Sequence, residues 1–241
     1  MIAEELANKK VKDIVQDYPS LSGVLNKYGF DFCCGGNKVL KDVCVNNGVN
    51  LADVISDMQS VIESRSVKKE ADNLETSELI SHILETHHEY LKDALPEIEF
   101  FSNKVAMRHG ERHPELIEIN RLYTALKDEL DNHLVKEENI LFPLIGEVDS
   151  RKKNQEKMEA AHCGSVNNPI RVMNSEHEST KELLSGIRKL TNGYYPPEDA
   201  CNSYRLLYQK LEEMETDLLE HMRLETDILF PRASILESQL A

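Results

Sequence analysis

The aliphatic positions along this chain recur every three or four residues and do not alternate, which predicts helices and no strands. Val11, Ile14, Val15 and Tyr18 form one such run, broken at Pro19-Ser20. Leu21, Val24, Leu25 and Tyr28 form a second, which Gly29 ends in a C-cap position. Val39, Leu40 and Val43, then Leu51, Val54, Ile55 and Met58, continue the pattern, so residues 1–62 read as a small helical domain. The next stretch, 63–75, reads ESRSVKKEADNLE; it is charged, nearly free of aliphatics, and reads as a linker.

Four long helical segments fill residues 76–241. The first starts at Thr76-Ser77, good N-cap types, and carries Leu79, Ile80, Ile83, Leu84, Leu91 and Leu95 towards His109, with a bend expected at Pro96. The second opens at Pro114 and carries Leu116, Ile119, Leu122, Leu126, Leu130 and Leu134 to about Ile145. A polar stretch, 147–168, leads to the third, which runs from Asn168-Pro169 to Asn192-Gly193. The fourth follows Tyr195-Pro196-Pro197. Such a pattern predicts an all-α chain: an antiparallel four-helix bundle preceded by the small helical domain.

The second and fourth long helices carry the same motif. His133-Leu-Val-Lys-Glu137-Glu-Asn-Ile-Leu-Phe-Pro143 is matched, 88 positions later, by His221-Met-Arg-Leu-Glu225-Thr-Asp-Ile-Leu-Phe-Pro231. The first and third echo each other more weakly, His88 aligning with His177 and Lys92 with Lys181. Residues four apart on a helix share one face about 6 Å apart along the axis, so each HxxxE pair projects an imidazole and a carboxylate together. A single such pair is usually a solvated one; its duplication, each copy one helix after a matched histidine, points to a metal site. The duplication predicts four histidines, His88, His133, His177 and His221, around two carboxylates, Glu137 and Glu225, that can bridge two cations. Imidazole and carboxylate without thiolate suit iron or manganese better than zinc. The spacing differs from the Glu-x-x-His of ferritin-like bundles. His88 is preferred over its neighbour His87 because it aligns with His177. Glu138 lies one residue off the stripe and is expected to be dispensable. The ILFP segments read as core packing at the bundle end. Glu129, Asp217 and Glu176 sit close to the motif histidines and read either as partners for ligand N–H groups and an entry path for cations, or as exposed acids.

Composition narrows the function classes. Forty-three acidic residues against 28 basic ones leave a net charge of -15, which argues against binding to nucleic acid. No run of 18 apolar residues occurs, which predicts no membrane span, and the N-terminus lacks a signal-peptide block, so a cytoplasmic protein is expected. The cysteines are Cys33, Cys34, Cys44, Cys163 and Cys201, an odd number without zinc-ribbon spacing. Cys33 and Cys34 are adjacent, beside two glycines and before a helix; they read as reactive thiols or as small buried residues. The other three read as structural.

The DFCCGG-bearing domain followed by HLVKEENILFP and HMRLETDILFP resembles the RIC family (repair of iron centres, of the ScdA/YtfE type) over essentially the whole chain. The resemblance implies a hemerythrin-like bundle and a cytoplasmic, stress-induced protein with two oxo-bridged non-haem irons that helps restore iron-sulfur clusters damaged by nitric oxide or peroxide. It implies damaged iron-sulfur proteins as acceptors, nitric oxide or oxygen as small ligands, and a homodimer. Carried over by motif, the iron ligands are His88, His133, Glu137, His177, His221 and Glu225, with Glu129 and Glu176 matching acidic positions near the iron. His87 stands where some members carry an aromatic residue. Three roles stay open: an iron donor to damaged clusters, an enzyme reducing nitric oxide at the di-iron centre, and a sensor.

Overall fold

The computed structural model describes residues 2–18, 21–30, 36–155 and 165–240, with the backbone alone at 2, 22, 26 and 63–70. Its described elements are all helices, and one antiparallel bridge, Lys10 to Val39, is the sole extended pairing among them. The chain is all-α. It divides into two compact units, residues 1–73 and 74–241.

The first unit holds α1 (Ile2–Asn8), α2 (Val11–Asp17), α3 (Ser22–Lys27), α4 (Leu40–Asn46) and α5 (Leu51–Asp72). The predicted apolar runs converge: Leu6, Val11, Ile14, Leu21, Leu25, Leu40, Val54 and Met58 are all buried in one core. Gly29 sits at φ +69, the left-handed conformation that lets a helix end without a Cβ penalty. The charged stretch after Met58 continues α5 as helix to Asp72. Cys44 is buried in this core, whereas Cys33 and Cys34 lie outside the described residues.

The second unit is the bundle. Its first long helix is α6 (Thr76–His82), a π-helical turn (Ile83–His88) and α7 (Glu89–His109). A capping box opens it, with the Glu78 carboxylate accepting the Glu75 N–H at 3.1 Å. The helix passes Pro96 without a break. The second comprises α8 (Glu115–Lys136), a π turn (Glu137–Leu141) and α9 (Phe142–Asn154). The third is α10 (Asn167–Leu190), and the fourth is α11 (Asn202–Arg223), a π turn (Leu224–Leu229) and α12 (Phe230–Ser238). Helix α7 packs on α8 and α11, and α8 packs on α10. Their shared core includes Leu91, Ile98, Ile119, Leu126, Ile187, Leu207, Leu211 and Met214. Cys163 and His162 lie outside the described residues. Cys201, read as structural, is exposed and stands at the N-cap position of α11, where its side chain makes no capping hydrogen bond.

The sequence predicted uninterrupted α-helices here, and the structure differs. Each HxxxE motif runs into a π turn, and the turn that ends at His88 is π as well. A π turn admits one extra residue and so rotates the face of everything after it. The following proline, Pro143 or Pro231, occupies the first turn of the next helix, where its missing N–H costs nothing. The result is seen in the ILFP segments: Leu141, Phe142, Leu229 and Phe230 are buried, while Ile140 is half-exposed.

Candidate metal centre

The six residues of the predicted ligand set come together inside the bundle. His88, Glu137 and Glu225 are fully buried, and His133, His177 and His221 are no more than 5 % exposed. They sort into two groups, His88-Glu137-His221-Glu225 and His133-Glu137-His177-Glu225, each with its ligand atoms within 4.8 Å of one another. Each half-site therefore mixes the two hairpins, taking one histidine from either; the repeat alone did not indicate this pairing. Both glutamates belong to both groups. Glu137 turns Oε1 to His133 Nε2 at 3.1 Å and Oε2 to His88 Nε2 at 3.4 Å. Glu225 turns Oε2 to His177 Nε2 at 3.1 Å and Oε1 to His221 Nε2 at 3.2 Å.

These short contacts are not all hydrogen bonds. Both oxygens of Glu137, Oε2 of Glu225 and Nε2 of His177 are buried and have no hydrogen-bond partner. Buried polar atoms left unpaired are costly and uncommon. Lone pairs that lie about 3 Å apart without forming hydrogen bonds converge on a common point, the arrangement that ligands of a cation adopt. The donor set fits two cations, each facing two imidazoles and one oxygen from either carboxylate.

Three of the four outer ring nitrogens are also held, and that of His221 is buried without a hydrogen-bond partner. His88 Nδ1 lies 2.9 Å from Glu138 Oε1, which also accepts from Lys92 Nζ at 2.7 Å. His133 Nδ1 lies 2.9 Å from Glu176 Oε2, and the other oxygen of that carboxylate pairs with Lys136. Thr226 Oγ1 stands 3.2 Å from His177 Nδ1. Such contacts select the tautomer that turns Nε2 inward. The phenylalanines of the two ILFP segments close the end: Phe142 packs on His88 at 5.6 Å and Phe230 stacks on His177 at 6.0 Å.

Glu176 thus touches a motif histidine. Glu129 does not; its carboxylate accepts from Ser179 Oγ at 2.9 Å in a surface cavity that reaches His133. Asp217 holds His87 Nδ1 at 2.8 Å, and the His87 ring stacks on His221 at 5.5 Å. His87 occupies in the first hairpin the place of Glu176 in the second, since each precedes an aligned histidine. The expectation that Glu138 is dispensable is corrected here. An inward Glu137 swings the next residue about 100° round the helix, and that direction is towards α7 and His88. The signal was in the repeat: Glu138 aligns with Thr226, and the two do the same work for His88 and His177.

The family profile of the hemerythrin HHE cation binding domain matches residues 79–233. That of ScdA_N, a domain of unknown function (DUF542), matches residues 7–62. The chain is 30 % identical over 221 residues to an iron-sulfur cluster repair protein YtfE of Salmonella newport, covering 92 % of this chain and 94 % of that one. It is 32 % identical to the protein of the same name from Escherichia coli O81, with the same coverage. The chain belongs to the RIC family. As a hemerythrin-type RIC protein it carries a cation-binding bundle, and no helix among the described residues is long and apolar enough to cross a membrane.

Electrostatics couple the cluster to protons. Burial alone would lower His133, but Glu137, Glu225 and Glu176 outweigh it and push it up to about 9. The same contest leaves His221 raised by Glu225 and Glu137, and Glu225 well below the usual carboxylate range under the influence of His221 and His177, against burial. In metal-free protein the raised His133 contributes stability that is full below its ordinary 6.5 and is lost as pH rises through about 9. A cation must therefore displace a proton at neutral pH. Adding ferrous ion to metal-stripped protein at pH 7 in dilute buffer is expected to acidify the solution, and the effect should shrink as the starting pH rises through about 9. A pH-independent response would contradict this assignment.

Proposed function

We propose that the six buried residues hold two non-haem irons, bridged by Glu137 and Glu225 and by an oxo group, and that the protein donates iron in the repair of iron-sulfur clusters damaged by nitrosative or oxidative stress. The observation that carries the reading is the convergence of unpaired carboxylate oxygens and imidazole nitrogens on two points, in a chain whose relatives are named iron-sulfur cluster repair proteins. Iron bound there would supply Lewis-acid and redox chemistry. The chain's own residues bind and orient: the four Nε2 atoms and two carboxylates form the cage, and Glu138, Glu176 and Thr226 fix the imidazole rings. Burial excludes bulk water.

Donation over catalysis is supported by the surroundings. The cavity beside His133, about 560 Å³, is lined by oxygen donors from Asp128, Glu129, Glu176, Ser175 and Ser179 and by Lys136, which pairs with Glu176; hard oxygens of this kind suit a leaving cation. The same opening would admit nitric oxide or oxygen, which we assign as small ligands of the centre. The acceptors would be damaged iron-sulfur proteins. The test is anaerobic incubation of iron-loaded protein with an acceptor whose cluster has been damaged. Recovery of the cluster with matching loss of iron from the protein supports donation; repeated turnover of nitric oxide with no iron lost would replace it with the enzyme reading.

The same assay addresses the adjacent thiols. Six ligands without sulfur complete the centre, so Cys33→Ala/Cys34→Ala protein is expected to keep its iron but repair clusters poorly. Loss of iron would make the thiols ligands, and normal repair would make them inert. Glu138→Leu is expected to weaken iron binding roughly 10–100-fold while the fold persists, the usual effect of removing the partner of a ligating histidine. An unchanged affinity in equilibrium dialysis would show that His88 needs no orientation.

A further inference from the structure

At the other end of α7, about 30 Å along the helix from His88 at 1.5 Å per residue, lies a second cluster that the metal reading does not use. Cys201, exposed at the N-cap of α11, places Sγ 3.2 Å from His109 Nε2. The pair faces a cavity of about 530 Å³ whose wall includes Lys104, Arg108 and Arg112. None of these three cations forms a direct ion pair with a carboxylate among the described residues, in a chain whose net charge is -15, although Lys104 lies over the Phe100 and Phe101 rings and Arg112 is near enough to help lower Asp199. The Tyr204 ring, 5.8 Å from His109, is buried and backs the imidazole.

We propose that Cys201 is a modification site that forms mixed disulfides with small disulfides bearing carboxylates. His109 is the proton acceptor, and Lys104, Arg108 and Arg112 are the anion-binding wall. Guanidinium groups match carboxylates in charge and fork geometry, so the wall selects the ligand class. In the exchange the Cys201 S–H gives its proton to His109 Nε2, and its sulfur attacks one sulfur of the small disulfide. The new S–S bond forms as the old one breaks, and the departing thiolate takes the proton back from His109. One protein thiol and one small disulfide become a mixed disulfide and a small thiol, so no other oxidant enters. The site is independent of the metal centre, and its test does not depend on iron.

The experiment compares two disulfides on full-length protein carrying Cys33→Ala/Cys34→Ala, with adducts located by peptide mass mapping. The probes are oxidised glutathione, rich in carboxylates, and bis(2-hydroxyethyl) disulfide, which is neutral. Each rate is normalised to the same probe reacting with free cysteine. Cys201 is expected to favour oxidised glutathione by about tenfold. Arg108→Glu/Arg112→Glu should abolish that preference while leaving the neutral probe's rate nearly unchanged. His109→Gln should slow both probes. Equal normalised rates on the unaltered site, a preference that survives the charge reversal, or adducts forming on Cys44 or Cys163 ahead of Cys201 would each overturn the proposal.

Discussion

Glu137→Leu and Glu225→Leu proteins are expected to fold and yet to lose iron, with affinity falling by more than the roughly 100-fold that an outer partner commands. Each carboxylate faces both half-sites, so a single substitution removes a ligand atom from two irons at once. The variants should survive folding because the side chains lost are buried charges. Replacing such a group with leucine removes a desolvation cost, and leaves His133 or His221 free to become neutral once its carboxylate is gone. Circular dichroism reports the fold and metal analysis the loading. Full iron content in either variant would show that the glutamates do not bridge.

Removing iron from the unaltered protein is the second large effect. A ligand present at 100 to 1,000 times its dissociation constant stabilises the folded state by about 2.7–4.1 kcal/mol. For a chain of this size each kcal/mol moves Tm by about 2–4 °C, so chelation should lower Tm by roughly 5–15 °C. The physical origin is the set of unpaired buried oxygens and nitrogens that the cation satisfies. Scanning calorimetry with and without chelator measures it. Identical melting would show that these atoms are satisfied without a metal.

Much of this architecture was legible in the chain. Aliphatic spacing located the helices because each buries one stripe: Leu79, Leu91, Ile119 and Leu126 stand where the periodicity put them. The gapless repeat at His133 and His221 identified the inward residues, since i and i+4 share a face whether or not a π turn follows. What it did not reveal is local. The π turns at 83–88, 137–141 and 224–229 shift the helix face by one residue locally, and aliphatic periodicity does not encode them. Half-site composition depends on which helices are neighbours, so the pairing of His88 with His221 needed the tertiary structure. Glu138 was passed over because a one-helix view put it off the stripe, and only the neighbouring α7 gives it a partner. Cys201 was read as structural from its residue type, although it is exposed at the N-terminus of α11.

If these six side chains form one shared centre, metal-stripped protein should take up two irons. Titrating metal-stripped full-length protein anaerobically with ferrous ion, followed by metal analysis after gel filtration, tests it most directly. Saturation is expected at two irons per chain, with both lost together in Glu137→Leu and Glu225→Leu protein because each carboxylate serves both half-sites. Saturation at a single iron, or retention of one iron in either variant at unchanged affinity, would contradict it.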